Sequence, residues 1–579
     1  MFIPATKEEA KKLGWQKFDV ILVTGDTYID SIYNGAAVIG KLLIRDGYRV
    51  GIIAQPNVSK DEDIRRLGEP ELFWGISAGC VDSMVANYTA TKRKRRQDDF
   101  TPGEINDRRP DRASMVYTNL IRKNFKDTVP IVLGGIEASL RRVVHYDFWQ
   151  NKLRRSILFD SKADYLIYGM GEKTILELAK KLKQKKSHEN IRGLCYISLK
   201  PKYEYIQIPS YEECINSKDK FAEMFEHFYR NNDPLSAKGL YQKTGERYLI
   251  QNPPQYNPSV EEIDSFHELD FERDVHPLNG KDGKVRALDT IRFSILTHRG
   301  CYGECNFCAI AVHQGRTIVS RSQDSIIREA KEFTKDKKFK GIISDVGGPT
   351  ANMYDYECKK KLKVGMCDHM RCVHPETCKG LKPTHKPSLN ILHEIRRLPG
   401  VRKAFVASGI RYDLVADDKQ FGYEYLKEIA VHHTSGQLKI APEHTNRRVL
   451  DLMGKPGMKA LEDFKSMFYK HSHEAGKQQF LTYYFIAAHP GCTEKEMKEL
   501  KVFASEKLKT NPEQVQIFTP TPSTYSTLMY YTEKNPWTGE KIFIEKDPQR
   551  KQRQKDIVVE KIVRTKIKKK TNKPPRKRF

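Results

Sequence analysis

The chain has 579 residues, and its 101 Lys and Arg against 74 Asp and Glu give a formal net charge of +27. That length exceeds what one hydrophobic core serves; at about 150 residues per domain it predicts three or four units. No run approaches the roughly 18 apolar residues of a membrane span, and the N-terminus has no basic stretch followed by an apolar one. A cytoplasmic protein with no membrane partner is therefore expected. The eleven cysteines are odd in number and clustered, which in a reducing compartment predicts metal ligation before disulfides.

The first 200 residues alternate apolar runs of strand length with helical patterns. "DVILVTGD" from Asp19, "GAAVIGKLLIRDGY" and "RVGIIAQPN" read as strand, helix, strand, and such runs suit parallel strands buried on both faces. "LFWGISAG", "PIVLGGIEAS" and "ADYLIYGMGEKTILELAKKL" continue the pattern, with glycine-bearing turns at the strand ends where α/β sheets bind ligands. Residues 201–285 are Pro-, Tyr- and charge-rich without clear periodicity and are expected to be a connecting region.

A second α/β series over residues 286–540 supplies six strand signals: "IRFSILT", "FKGIISDVGG", "VRKAFVASG", "GQLKIAPEH", "QFLTYYFIAAHPG" and "VQIFTPTP". Six strands with intervening helices predict a full or partial β/α barrel with its site at the carboxyl ends of the strands. Cys301, Cys305 and Cys308 fall directly after the first of them. Three thiolates on one loop can reach three corners of a cubane [4Fe-4S] cluster and leave one iron open. A zinc site completed by His298 or His313, and a cluster closed by a remote fourth cysteine, remain open alternatives on spacing alone.

"CNFCAIAVHQGRTIVSRSQDSIIREAKEF", "SDVGGPTANMY", "LKIAPEHTNRRVLDLMGKPG" and "AAHPGCTEKE" together resemble the radical S-adenosylmethionine (SAM) superfamily, particularly its methylthiotransferase-like branch. The resemblance implies a partial (β/α)6 TIM barrel in which Cys301, Cys305 and Cys308 hold iron and the open iron chelates SAM. It also implies that Gly347 and Gly348 let the backbone approach the methionine moiety, and that Ser408 and Glu443 address the ribose hydroxyls or amino group. For Glu443, capping of the following helix or pairing with Arg447 stays open. An external electron donor such as flavodoxin or ferredoxin is implied.

"GAAVIGKLLIRDGYRV", "VLGGIEAS" and "DYLIYGMGEKTILEL" are similar to the Rossmann-like cobalamin-binding domains that precede such barrels. The family's D-x-H-x-x-G would give a histidine to cobalt, whereas "GDTYIDSIYNG" has no histidine between Asp26 and Gly35, so a retained fold without cobalamin is expected, with cobalamin bound without a histidine ligand as the alternative. The whole arrangement resembles the YgiQ-type family of radical SAM proteins. The resemblance names no substrate. RNA modification and methyl transfer both stand, and a non-catalytic iron-sulfur protein that senses redox state or binds nucleic acid is the alternative.

Cys358, Cys367, Cys372 and Cys378, within residues 358–378 and interrupted by His369 and His374, are too concentrated for structural thiols and predict a second metal site. Thiolates suit an auxiliary iron-sulfur cluster and zinc alike; the position beside a redox centre favours the cluster. Cys80, Cys195, Cys214 and Cys492 stand apart and are expected to be buried small residues. Residues 541–579 carry sixteen Lys and Arg against four acids and are expected to be a disordered basic tail. Together with "KRKRRQDDF" from Lys92, this tail is a candidate nucleic-acid contact as well as a solvated surface.

Overall fold

The computed structural model describes residues 1–368 and 370–559. Its N-terminal half is built on one nine-stranded sheet: β1 (Val20–Thr24), β2 (Val50–Ala54), β3 (Phe73–Ser77), β4 (Ile131–Gly134), β5 (Tyr165–Ile167), β6 (Leu194–Ser198), β7 (Ile206–Ile208), β8 (Leu240–Thr244) and β9 (Arg247–Gln251). The spatial order is β7-β8-β9-β6-β5-β4-β3-β1-β2. From β2 to β5 every neighbour is parallel, which gives the doubly wound order 2-1-3-4-5.

All five residues of β1 are buried, and their alternation decides which helices cover each face. Val20 and Leu22 pack with α1 (Gly35–Arg45) and, further along the sheet, α4 (Glu172–Lys183). Ile21 and Val23 join the core formed with α2 (Ala113–Asn124) and α3 (Gly135–Leu140). In this topology the connections leave β1 and β3 in opposite directions, opening a crevice at their carboxyl ends.

Residues 201–285 are not merely a connector. Strands β7, β8 and β9 extend the sheet through antiparallel pairing of β9 with β6 and β8, and parallel pairing of β7 with β8. Further on, Asp274 and Val275 pair with Asp30 and Ile29.

Six parallel strands then follow in chain order: β10 (Ser294–Leu296), β11 (Asp345–Gly347, preceded by the short Ile342–Ile343), β12 (Lys403–Ala404), β13 (Gln437–Glu443), β14 (Phe480–Ala487) and β15 (Val515–Ile517). Leu296 lies opposite Gly347, Ile342 opposite Lys403, and the β12–β13 junction is bridged in parallel through Ile410 and Ile440. Strands β13 to β15 form a continuous ladder. Helices α5 (Gln323–Lys335), α6 (Lys386–Arg397), α7 (Lys459–Glu474) and α8 (Glu494–Phe503) pack their apolar faces on these strands in one core. The result is the expected partial barrel, with the cysteine loop leaving the end of its first strand.

The start of the basic tail is ordered, contrary to expectation. Residues Pro548–Val559 form α9, whose Val558 is buried in the barrel core. Gln554 accepts from the Ala488 amide at 2.9 Å and donates to the Cys492 carbonyl at 3.2 Å, while buried Lys551 donates to the Tyr530 hydroxyl at 3.0 Å. Residues 560–579, where the rest of that expectation falls, lie outside the described residues. No described helix is long and apolar enough to cross a membrane.

Candidate active site

The cysteine loop is held at both ends. Gly300 takes φ +82°, and a Cβ there would lie 2.1 Å from the Thr317 carbonyl oxygen, so only glycine fits. The Cys301 amide donates to the Gly315 carbonyl at 3.2 Å and the Asn306 amide to the Met453 carbonyl at 2.8 Å, tying the loop to its own return strand and to the β13 side of the barrel. The Cys301 sulfur lies 3.6 Å from Thr350 Oγ1 and 3.8 Å from Met353 Sδ. Burial, reinforced by the neighbouring thiols, raises the Cys301 thiol and pushes Cys308 up to about 12. Without a bound cation these groups are neutral thiols; soft iron, which binds thiolate, fits the donor set.

The segment that follows β12 supplies a positive charge. Arg411 is buried and bidentate to Asp413, with Nε 3.1 Å from both carboxylate oxygens. Its Nη1 lies 2.9 Å from where a Cβ on Gly303 would stand, beside the Cys301 sulfur at 3.2 Å from the same point. Gly303 thus lets a guanidinium approach the thiols. The sequence reading passed over Arg411, since an arginine after a strand carries no local signal.

Gly347 and Gly348 sit at the end of β11, as anticipated, but the structure assigns their missing side chains to packing. A Cβ on Gly347 would meet Ser408 Oγ at 3.1 Å, and one on Gly348 would meet the His298 ring at 2.5 Å. The Gly347 carbonyl accepts from the Thr297 amide at 2.7 Å. Ser408 is likewise engaged: its hydroxyl donates to Asp345, whose other oxygen accepts from the Ala407 and Ser408 amides at 2.7 and 3.1 Å. Asp345 therefore fastens β11 to the end of β12, a role that "SDVGG" did not reveal.

Glu443 ends β13 at a bulge, with φ +69°, a conformation costly for a non-glycine residue and found where surrounding structure enforces it. Neither of its two bland alternatives holds. Asn446 caps the next helix by accepting from the Val449 amide at 3.3 Å, and Arg447 pairs with Asp451 at 2.9 Å. Burial pushes the Glu443 carboxyl up to about 7, opposed by Lys455, and the charge of Glu443 contributes to raising the Cys308 thiol.

His298 and His313 are each committed elsewhere. His298 is buried, with Nδ1 2.8 Å from Thr297 Oγ1, and His313 Nδ1 lies 3.1 Å from Ser139 Oγ of the N-terminal domain. Among the described residues no three His, Cys, Asp or Glu are arranged to hold a single metal ion. Cubane ligands stand farther apart than the ligands of one ion.

In the second cysteine group, the Cys358 and Cys378 sulfurs lie 3.6 and 3.7 Å from the point a Cβ on Gly380 would occupy. The Cys378 amide donates to the Cys372 carbonyl at 2.8 Å, and Lys361 Nζ is 4.0 Å from the Cys372 sulfur. Cys301, Cys358 and Cys372 border one small core around Tyr302 and Tyr356, so the two groups are neighbours. Cys367 is partly buried on the same insert; His369 lies outside the described residues.

Family models match almost the whole described chain: Radical SAM N-terminal over residues 2–294, Radical SAM superfamily over 295–504, and a domain of unknown function over 513–561. A UPF0313 protein of Fusobacterium nucleatum is 60% identical over 97% of this chain and 99% of its own. One from Thermotoga maritima is 47% identical over 96% and 98%. The chain belongs to the UPF0313 family and is a radical SAM enzyme. Among solved structures, the radical SAM methyltransferase TsrM from Kitasatospora setae, with cobalamin and [4Fe-4S] cluster bound, is similar at TM-score 0.48 and 14% identity, covering 88% of this chain and 77% of that one. The N-terminal match ends at residue 294, in accord with the sheet that continues through β9 and its following helices.

The two domains meet across a cavity of about 430 Å³ at the crevice between β1 and β3, closed on the barrel side by Leu296, Arg299, Ile310 and His313. The β1–α1 loop does not fit a cobalt ligand: it carries no imidazole between Asp26 and Gly35, and its Tyr28, Ile29 and Asp30 are buried. Asp30 is spent on Lys41 and the Tyr28 hydroxyl, each 2.9 Å away. Cys195, Cys214 and Cys492 are buried as anticipated, whereas partly buried Cys80 lines this cavity.

Proposed function

We propose that the chain binds a [4Fe-4S] cluster through Cys301, Cys305 and Cys308 and uses it to cleave SAM reductively, acting on its substrate without cobalamin. When bound, the cluster and SAM supply a 5′-deoxyadenosyl radical that takes a hydrogen atom from the substrate, the electron coming from a flavodoxin- or ferredoxin-type donor. The chain's own part is to hold three thiolates out of water. Arg411, fixed by Asp413, offsets their charge, and Glu443 presents a carboxyl that exchanges a proton near neutral pH beside Cys308.

The observation that carries this reading is the set of three partly buried thiols on one loop at the carboxyl end of the first barrel strand, with the Arg411 guanidinium and the Cys301 sulfur 2.9 and 3.2 Å from the same point at Gly303. Cys358, Cys367, Cys372 and Cys378 are assigned an auxiliary cluster, supported by the approach of Cys358 and Cys378 to Gly380 and by the small core that Cys358 and Cys372 share with Cys301. The test is 5′-deoxyadenosine release from reduced, iron-loaded protein given SAM. Release that disappears in Cys305→Ala is expected; no release from protein carrying its full iron rejects the assignment.

A further inference from the structure

The interdomain cavity belongs to no ligand so far named. We propose that it seats the substrate, and that the substrate is a small molecule with a largely apolar body, not a nucleic acid. This rests on the radical reading above and adds to it the class of molecule on which the radical acts.

Two glycines show that the space is kept open. Gly134 ends β4 and Gly35 begins α1; both line the cavity, and a Cβ on either would meet no atom within 4 Å. Gly134 has φ −151° and ψ −177°, extended backbone that any residue adopts, and Gly35 has no left-handed φ. Neither the backbone nor packing demands glycine here. A side chain at Gly134 would fill the cavity, and one at the exposed Gly35 would narrow its mouth.

The lining sets the ligand's chemistry. Its walls are side chains such as Leu22, Ile39, Ile76, Leu133 and Ile167, and the volume is at the lower part of the roughly 300–1,000 Å³ typical of small-molecule sites. The polar groups at the barrel side are already partnered: Arg299 with Glu172, His313 with Ser139, and Gln314 with the Gly300 amide at 3.2 Å. The lining holds no Lys and one Arg, already paired, so a phosphodiester chain would find no free cation there, while the uncapped N-terminus of α4 at Gly171 leaves backbone amides for a single polar group of a small ligand. An apolar body loses nothing.

The position fits the reaction. Leu296 and Arg299, just before Cys301, and Ile310, two residues after Cys308, all line the cavity, so it lies against both ends of the cysteine loop. A molecule seated against Ile310 is next to the cysteine loop and held between the two domains.

The test uses the full-length, iron-loaded protein and the apolar fluorophore anilinonaphthalene sulfonate as probe, with Gly134→Leu and Gly35→Leu as independent fillings of the same space. Wild type should bind one probe per chain saturably, and each variant should bind it at least tenfold more weakly while keeping the wild-type circular dichroism spectrum. Equal binding by wild type and both folded variants overturns the cavity assignment. Displacement of the probe by stoichiometric hydroxocobalamin or by a short RNA overturns the substrate class. 5′-Deoxyadenosine release by the wild type reads the radical assignment separately: its absence with probe binding intact removes the substrate role and leaves a ligand cavity.

Discussion

Arg299 of the barrel and Glu172 of the N-terminal domain form an ion pair across the domain junction, each side chain only 6% exposed. Glu172 opens α4, so the pair joins a helix N-terminus of one domain to the strand that precedes the cysteine loop in the other. Removing one partner strands a buried charge at a cost of about 3–5 kcal/mol. Arg299→Met should therefore lower the urea midpoint strongly, and the double change with Glu172→Met should recover most of that loss. Equal destabilisation by the single and double variants would show that the pair does not join the domains.

Gly348→Ala places a methyl group 2.5 Å from the buried His298 ring. Overpacking of this kind costs about 1–3 kcal/mol. Ser408→Ala removes one of three hydrogen bonds to Asp345, worth about 1 kcal/mol. Both should appear in denaturation midpoints, and Ser408→Ala should leave SAM affinity near wild type. A tenfold weaker SAM affinity with unchanged stability would instead place the Ser408 hydroxyl on the ligand.

Glu443 gives a pH dependence of known sign. Its carboxyl titrates near 7 in the native protein against 4.5 ordinarily. Between those values the unfolded chain has lost a proton that the native state keeps, so the unfolded state binds fewer protons and stability falls as pH rises. The contribution is fully present below about pH 4.5 and gone above about pH 7. Glu443→Gln should flatten the decline in urea midpoint between pH 5 and pH 8; parallel wild-type and variant profiles would mean that the carboxyl ionises normally.

Residues 560–579 carry ten Lys and Arg against one acid, and truncation after Val559 separates their charge from the ordered α9. Such a truncation should keep the melting temperature while weakening RNA binding and flattening its salt dependence. Truncation after Glu540, which removes Val558, Gln554 and Lys551 from the barrel, should destabilise the protein. RNA binding unaffected by the shorter truncation would take this segment out of any nucleic-acid contact.

Both sheets were legible because buried parallel strands such as "VILVT" read as unbroken apolar runs. Strands β8 and β9 were not: "LYQKT" and "RYLIQ" mix polar with apolar residues near one end of the sheet, among prolines that signal a loop. Helix α9 was hidden for a related reason, since "PQRKQRQKDIVV" buries only Lys551, Gln554 and Val558. The three cysteines of the candidate site were plain from spacing. Arg411, Asp345 and the Arg299–Glu172 pair were not, because each acts on a partner distant in sequence and has no local pattern. The same limit explains Gly347 and Gly348, whose position was evident but whose packing against Ser408 and His298 appears only once the barrel is assembled.

The most direct test of the central claim is electron paramagnetic resonance of the anaerobically reconstituted, reduced protein with and without SAM, in a Cys358→Ala/Cys372→Ala background that removes the second site. A [4Fe-4S] signal that shifts on adding SAM and vanishes in Cys305→Ala is the predicted result. A signal indifferent to SAM, or the absence of any cluster signal with Cys301, Cys305 and Cys308 intact, would contradict it.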